Sequence, residues 1–421
     1  DPVPPTDPAA APAPDPAEPL TTGLTSLRRT AGLLSQRLNQ GAFEAAVEPL
    51  LAMVGDRSCA AVSLDGRLVG ERNSASAAIP ASTLKVIVAA VALDVLGPEF
   101  TYTTALMAPE PSGGAITGDV YLVGGGDPLL SGEWYEDARL DANPAFNTTV
   151  IDDLARQLTE QGVTEIRGTV LGDGSRYDDE WYVDSWGDGV AGGEAGPYDA
   201  LLVNDSRVQG DEYRGSDPNE SGARELVRIL GAHGITVSGG AGTGTWSSGN
   251  GTSQIAAVTS RPLPAILEEM LTNSDNNTAE MVVKEIGVAT SGQGTRQAGL
   301  DAIAATITGW GIDTTGLVLG DGSGLSLDNR VSCATMLGVL QHAGASSAVG
   351  QGLAVAGETG TMASVFVDTP LAGRLLGKTG TLSNPPFNAD PPAVKGLAGY
   401  LPTDSTGGAI EFVLLLNGDP N

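Results

Sequence analysis

Cysteine, histidine and lysine are all scarce in this 421-residue chain, which holds two Cys, two His and four Lys. Each scarcity excludes something. Cys59 and Cys333 cannot make a Cys-rich metal site, and His233 and His342 are too isolated to complete one. Two cysteines fit either one disulfide in an oxidising compartment or a pair of buried thiols. Neither His lies in a catalytic context, which argues against a Ser-His-Asp triad. No apolar stretch is long enough to span a bilayer. Positive charge is also sparse: the net charge is −29. Nucleic acid would find no basic patch here, and an anionic membrane surface would repel the protein. No metal and no cofactor is expected, and any anionic substrate needs a local positive centre.

The lysines are Lys85, Lys284, Lys378 and Lys395. A chain that otherwise uses Arg for positive charge has kept Lys at these positions. An amine can lose its proton in a desolvated site, whereas a guanidinium effectively cannot. Lys85 closes the motif Ser82-Thr83-Leu84-Lys85, which follows Ile79-Pro80 and opens the apolar run Val86 to Leu93. That run stops at Gly97-Pro98 and reads as a helix buried on most faces, with Ser82 and Lys85 on its first turn. Positions i and i+3 are neighbours on a helix surface. A hydroxyl thus sits beside an amine, at a helix end whose free N–H groups carry positive potential. Alone, the motif is equally an N-cap Ser with a solvated Lys one turn on.

The length implies two or three domains. Residues 1–20 are rich in Pro, Ala and Asp without apolar periodicity, and are expected to form a disordered tether. The chain has no initiator Met, so a trimmed N-terminus is expected, with any signal peptide or anchor gone. Leu24 to Met53 reads as mainly helical. Cys59 to Leu64 reads as a strand, Asp65-Gly66 as a tight turn and Arg67-Leu68-Val69 as a return strand. From 99 to 260, short strands alternate with Gly- and Asp-rich turns, with helices at Leu154 to Gln161 and Ala223 to Ala232. This is read as an inserted α/β module of one or two subdomains. Helices return at Pro264 to Thr272, Asn277 to Gly287, Ala298 to Gly309 and Ala334 to His342. Strands follow at Arg374 to Gly380, Val394 to Leu401 and Ile410 to Leu416. The expected fold is α+β, with one antiparallel sheet built from both ends of the chain, flanked by helices. Segments 21–98 and 261–421 form one domain around the 99–260 insert.

Two further motifs share the reading. Ser274-Asp275-Asn276 lies between helices, where an Asx-turn is the ordinary explanation. Lys378-Thr379-Gly380-Thr381 lies on a strand, where edge chemistry is the ordinary explanation. Together, in this order and on helix, interhelical loop and strand, the three make coincidence a poor account. They resemble the S-x-x-K, S-D-N and K-T-G set of penicillin-binding proteins and serine β-lactamases. About 190 residues separate Ser82 from Ser274, far more than a compact β-lactamase has. The chain therefore resembles the class C low-molecular-mass penicillin-binding proteins, the D-alanyl-D-alanine carboxypeptidase/endopeptidase family. Supporting stretches are Leu122-Val123-Gly124-Gly125-Gly126-Asp127-Pro128, Asp321-Gly322-Ser323-Gly324-Leu325-Ser326 and Gly377 to Leu382.

The resemblance implies a penicillin-binding/transpeptidase-like fold and acyl transfer through a serine ester. Ser82 would attack the carbonyl between two D-alanines of a peptidoglycan stem peptide, and Lys85 would take its proton. Ser274 would relay a proton to the leaving amine and Asn276 would hold the substrate backbone. Lys378, Thr379, Gly380 and Thr381 would bind the terminal carboxylate, and the oxyanion would lie between the N–H groups of Ser82 and Thr381. β-Lactams would acylate the same serine. The implied location is extracytoplasmic, in periplasm or cell wall, with membrane contact only through a trimmed anchor. Asp173, at a strand end in the insert, is the candidate for holding a side-chain amine of the stem peptide. After Gly324-Leu325-Ser326 the family commonly has Arg, where this chain has Leu327; an amidated stem peptide, or Arg330 as substitute, would reconcile the difference. The competing readings are a serine β-lactamase and a non-catalytic penicillin-sensing or wall-binding module.

Overall fold

The computed structural model describes residues 41–137, 144–186, 189–382, 393–403 and 408–418. The expected tether, and the first part of the expected Leu24–Met53 helix, lie outside them; residues 41–51 are helical. Residues 50–421 form one unit, separate from 1–49.

Both ends of that unit supply one antiparallel sheet. Its strand order is Ala354–Val355, Leu376–Leu382, Val394–Pro402, Ala409–Asn417, Cys59–Leu64 and Arg67–Arg72. The last two form a hairpin whose turn residues, Asp65 and Gly66, have φ of 51° and 74°. Positive φ at both positions matches the right-handed twist of the strands, as the Asp-Gly pair predicts.

The helix Leu84–Leu96 runs through the helical layer with every residue from Leu84 to Ala92 buried. Up to Ala92 it has no solvated face because Leu263–Asn273, Asn276–Ser291 and Cys333–Ala343 pack around it, in a core that includes Val86, Ile87, Leu267, Val282, Met336 and Val413. Gly97, at φ 83°, ends it. Cys59 and Cys333 are joined in a disulfide, Cα–Cα 5.9 Å, which ties the first strand to the start of the Cys333–Ala343 helix.

Residues 103–259 supply a second, five-stranded sheet in the order Ala241–Thr243, Val170–Asp173, Val120–Val123, Thr103–Ala108 and Ser253–Thr259. The first three strands run parallel and the last two pairings are antiparallel. The helices Asp152–Glu160 and Pro218–Ala232 cover it, with Leu154, Leu158, Leu226 and Leu230 in the shared core. Asp217 caps the longer helix by accepting from the N–H groups of Asn219 and Glu220. The long Gly- and Asp-rich stretch after Asp173 has no helix or strand among its described residues up to 186. Its aromatic residues nevertheless anchor it: Tyr177, Trp186 and Tyr198 pack with Met281 of the Asn276–Ser291 helix and with Leu325 of the 321–326 loop.

Candidate active site

The turn that carries Ser82 differs from the expected first turn of an α-helix. Ala81–Thr83 is a 3₁₀ turn that leads into Leu84–Leu96. Ala81 has φ 49°, an uncommon value for a residue with a Cβ. Thr83 Oγ1 donates to the Pro80 carbonyl at 2.7 Å, closing the turn on itself. Two glycines press against it from distant parts of the chain. A Cβ on Gly324, which has φ 86°, would lie 2.0 Å from the Ala81 carbonyl oxygen and 2.9 Å from Ser82 N. A Cβ on Gly380 would lie 2.8 Å from the Pro80 oxygen and 3.3 Å from Ser82 N. Only glycine allows backbone to come this close.

Lys85 is fully buried and makes three hydrogen bonds. Its Nζ donates to Ser82 Oγ at 3.0 Å, to Asn276 Oδ1 at 2.7 Å and to the Ser323 carbonyl at 2.6 Å. Asn276 Nδ2 donates in turn to the Glu194 carbonyl at 2.9 Å, which orients the amide with its oxygen towards Lys85. The geometry has a chemical consequence. Asn276 Oδ1 and Ser323 O can only accept. A neutral Lys85 amine would spend both its N–H bonds on them, leaving its lone pair for the Ser82 hydroxyl. Burial pulls the Lys85 pKa down to about 8; the charges of Asp321, Asp275 and Glu280 oppose that shift in decreasing order. A base poised near the ambient pH is the result.

Ser274 takes the left-handed conformation, φ 68°, that ends the Leu263–Asn273 helix. Asp275 caps the next helix, accepting from Thr278 N at 2.6 Å, and Asn276 begins it. Ser274, Asp275 and Asn276 line one cavity of about 210 Å³ with Glu194, Asp205 and Glu269. Burial, and then Asp205, raise the Asp275 pKa to about 6.

Lys378 is fully buried and donates to the Thr379 carbonyl at 3.0 Å. Burial, reinforced by the Lys85 charge, holds its pKa well below the usual lysine value. Thr379 Oγ1 donates to Thr361 Oγ1 at 2.8 Å, and Thr381 is exposed. Ala354–Val355 pairs only with Leu376 and Gly377. Among the described residues, Lys378 to Leu382 therefore has a strand neighbour on the Val394–Pro402 side alone. A free strand edge runs beside the Ser82 turn.

Ser82, Lys85 and Asn276 are thus one hydrogen-bonded cluster, with Ser274 two residues from Asn276, Gly380 against the same turn and Lys378 near enough for the Lys85 charge to act on it. Asp173 is not brought to it. Each of its carboxylate oxygens accepts from backbone, from Ser175 N at 2.8 Å and Trp246 N at 2.6 Å, and it lines a different cavity with Asp179, Asp199 and Asp217. Its two hydrogen bonds join loops at the end of a strand. Arg330 is bonded to its own loop through Nη1, which donates to the carbonyls of Leu327 and Asn329 at 2.7 and 2.8 Å. Sequence reasoning missed Ser323, Glu280, Asp321 and Thr361. The first three had a signal. Glu280 is one turn beyond Asn276 on its helix, and Asp321 and Ser323 lie in a motif that was noted without a role. Thr361 had none.

Comparison with known proteins gives a consistent picture. The sequence profile of the D-Ala-D-Ala carboxypeptidase 3 (S13) family matches residues 52–217 and 212–421. A carboxypeptidase of Mycobacterium tuberculosis is 30% identical, over 97% of this chain and 86% of its own. The D-alanyl-D-alanine carboxypeptidase of an Actinomadura species is 29% identical, over 84% of this chain and 76% of its own. Among solved structures, penicillin-binding protein 4 of Haemophilus influenzae superposes with a TM-score of 0.69 at 22% identity, covering 89% of this chain and 94% of its own. That protein has also been solved with a β-lactam bound. The shared fold is α+β.

Proposed function

The chain belongs to the D-Ala-D-Ala carboxypeptidase 3 (S13) family, and on that premise we propose a serine-type D,D-carboxypeptidase acting on peptidoglycan stem peptides through an ester on Ser82. The observation that carries the reading is the Lys85 amine, held by two obligate acceptors with its third position on Ser82 Oγ.

The stem peptide lies along the free edge of Leu376–Leu382 as an added strand. Its terminal carboxylate meets Lys378, Thr379 and Thr381, with Gly380 keeping the strand close to the nucleophile. A carboxylate arriving beside Lys378 favours the ammonium form and so opposes the effect of burial. Lys85 takes the Ser82 proton as Oγ bonds to the penultimate D-Ala carbonyl carbon. The oxyanion is held by the N–H groups of Ser82 and Thr381. The C–N bond then breaks, and the leaving D-Ala amine takes a proton from Lys85 by way of the Ser274 hydroxyl. Asn276 fixes both Lys85 and the substrate backbone. Water attacks the ester, returns a proton through Lys85 and frees Ser82. A penicillin enters by the same first step, its amide bond opening to leave an ester on Ser82.

We also place the protein outside the cytoplasm, in periplasm or cell wall, where a Cys59–Cys333 disulfide would persist. Among the described residues no helix is long and apolar enough to cross a membrane, and no group of three or more His, Cys, Asp or Glu is arranged to hold a metal ion.

Mass spectrometry after incubation with a penicillin tests the reading, beside product analysis with a stem pentapeptide. The expected results are one adduct on Ser82 and release of a single D-Ala. No adduct with the folded protein would sink the enzyme reading in favour of a binding module. Fast loss of the adduct as hydrolysed penicillin would favour a β-lactamase.

A further inference from the structure

Glu280 has no part in the steps above, yet it is a fully buried acid one helical turn from Asn276. Residues i and i+4 share a helix face, so the face that sends Asn276 to Lys85 also sends Glu280 inward. Its Oε1 accepts from two successive backbone groups, Gly322 N at 3.0 Å and Ser323 N at 2.7 Å. The carbonyl of that same Ser323 accepts from Lys85 Nζ at 2.6 Å. The loop has a second anchor in Asp321, which accepts from Gly324 N, Ser326 N, Asn329 Nδ2 and Trp186 Nε1 at 2.6–2.9 Å. Asp321 shapes the loop internally and fastens it to the insert. Among the described residues, Glu280 is what ties the Gly322–Ser323 peptides to the helix carrying Asn276.

We propose that Glu280 is a positioning residue for the acylation step: it fixes the Ser323 peptide so that its carbonyl faces the Lys85 amine and leaves that amine's lone pair to Ser82. This rests on the acyl-enzyme reading and deepens it. The two acceptors that exhaust the N–H bonds of neutral Lys85 are then set by one helix, Asn276 directly and Ser323 through Glu280. If the Ser323 peptide turned, an N–H of Lys85 would be freed to point at Ser82, and the hydroxyl would meet a donor where it needs an acceptor.

The groups facing Glu280 are Asp321 from the loop, Lys85 from the nucleophile helix, Tyr198 from the insert segment and Arg296 from the following helix. Burial, and then Asp321, raise the Glu280 pKa to about 7, with its hydrogen bonds to Ser323 acting against the rise. The charge of Glu280 helps keep the Lys85 pKa from falling further. Two separable effects follow. The hydrogen bonds position, and the charge tunes.

The test is the second-order rate of Ser82 acylation by a fluorescent penicillin, followed across the Lys85 titration for wild type, Glu280→Gln and Glu280→Ala, with thermal unfolding as the check on folding. Glu280→Gln keeps an acceptor for both N–H groups. Its plateau rate should stay near wild type, while the acid limb of its profile moves to lower pH. Glu280→Ala loses the acceptor and should acylate about 100-fold more slowly, the scale of a misplaced reacting group. A folded Glu280→Ala that acylates like wild type overturns the proposal, as does a Glu280→Gln as slow as the Ala variant. Should the Ala variant fail to fold, Glu280→Asp, which keeps the charge and draws the acceptor back by one methylene, decides: a folded Glu280→Asp with a wild-type plateau rate overturns it. Absence of a Ser82 adduct in the wild type itself is a different failure, that of the acyl-enzyme reading.

Discussion

Lys85 Nζ and Ser82 Oγ are 3.0 Å apart, in a site where the amine is wholly buried. The contact joins the last residue of one motif to its first, and it depends on a property of lysine that arginine lacks. A guanidinium can fill the same space and donate to the same oxygens, but it cannot become a base. Lys85→Arg and Lys85→Met should therefore both lose acylation, by about 10²–10⁴-fold, the usual worth of a positioned general base. Intact-mass kinetics with a penicillin reads this directly. A Lys85→Arg variant that acylates at a rate close to wild type would show that charge, not proton acceptance, is what the position supplies.

Asn276 gives a second, narrower expectation. Asn276→Asp keeps an acceptor for Lys85 but turns it into a charge, which favours the ammonium. Acylation at neutral pH should fall, and its acid limb should move to higher pH. Asn276→Ala removes the acceptor altogether, and its plateau rate should fall by about 100-fold. Rate profiles of the two variants separate these effects: a lower plateau marks lost positioning, whereas a displaced limb marks an altered amine pKa.

The pH dependence of the wild type follows from the direction of the Lys85 shift. Burial lowers its pKa from 10.5 to about 8. Below that value the amine is protonated and cannot take the Ser82 proton. Acylation should rise tenfold per pH unit on the acid side and level off above about pH 8. The same shift acts on stability with a defined sign. The folded pKa lies below the unfolded one, so between them the unfolded chain binds more protons and stability gains from Lys85 as pH rises. An acylation rate that was flat through pH 8 would remove Lys85 from the base role.

What could be read from the chain alone was what local pattern encodes. The apolar run after Lys85 announces a helix buried all round, and Asp65-Gly66 announces its hairpin. The motifs at Ser274 and Lys378 fall where interhelical loop and strand were expected. The shape of the Ser82 turn was not legible, because its cause is remote. Ala81 is driven to φ 49° within a turn that Gly324 and Gly380 crowd from some 240 and 300 residues away, and nothing in Ile79-Pro80-Ala81 declares this. The partners of Asp173 are remote in the same way. One oxygen of this strand-end Asp accepts from Trp246 N, more than 70 residues on, and no local pattern announces that.

Those close approaches make Gly324 a sensitive position. A Cβ there would fall 2.0 Å from the Ala81 oxygen, at a φ of 86° that disfavours any side chain. Gly324→Ala should destabilise the protein by about 1–3 kcal/mol and displace the nucleophile turn, so that acylation falls even in the folded fraction. Gly380→Ala meets the Pro80 oxygen at 2.8 Å without the φ penalty, and its effect should be smaller on both counts. Urea unfolding beside acylation rates ranks the two. Equal losses would mean that backbone conformation at Gly324 contributes little.

The Cys59–Cys333 bridge joins positions 274 residues apart in sequence, and it ties the first sheet strand to a helix packed on the Ser82 helix. Cross-linking so long a loop restricts the unfolded chain strongly, and removing such a bond typically costs about 2–5 kcal/mol. Both cysteines are fully buried, so the thiols of a reduced protein would remain packed and the folded site would keep its geometry. The Cys59→Ser/Cys333→Ser pair should accordingly unfold at lower urea than the oxidised wild type, while its folded form acylates at an unchanged rate. Reductant should lower the stability of the wild type and leave that of the double variant as it was. A double variant as stable as the oxidised wild type would mean that packing of the sheet against the Cys333–Ala343 helix already does what the bridge is credited with here.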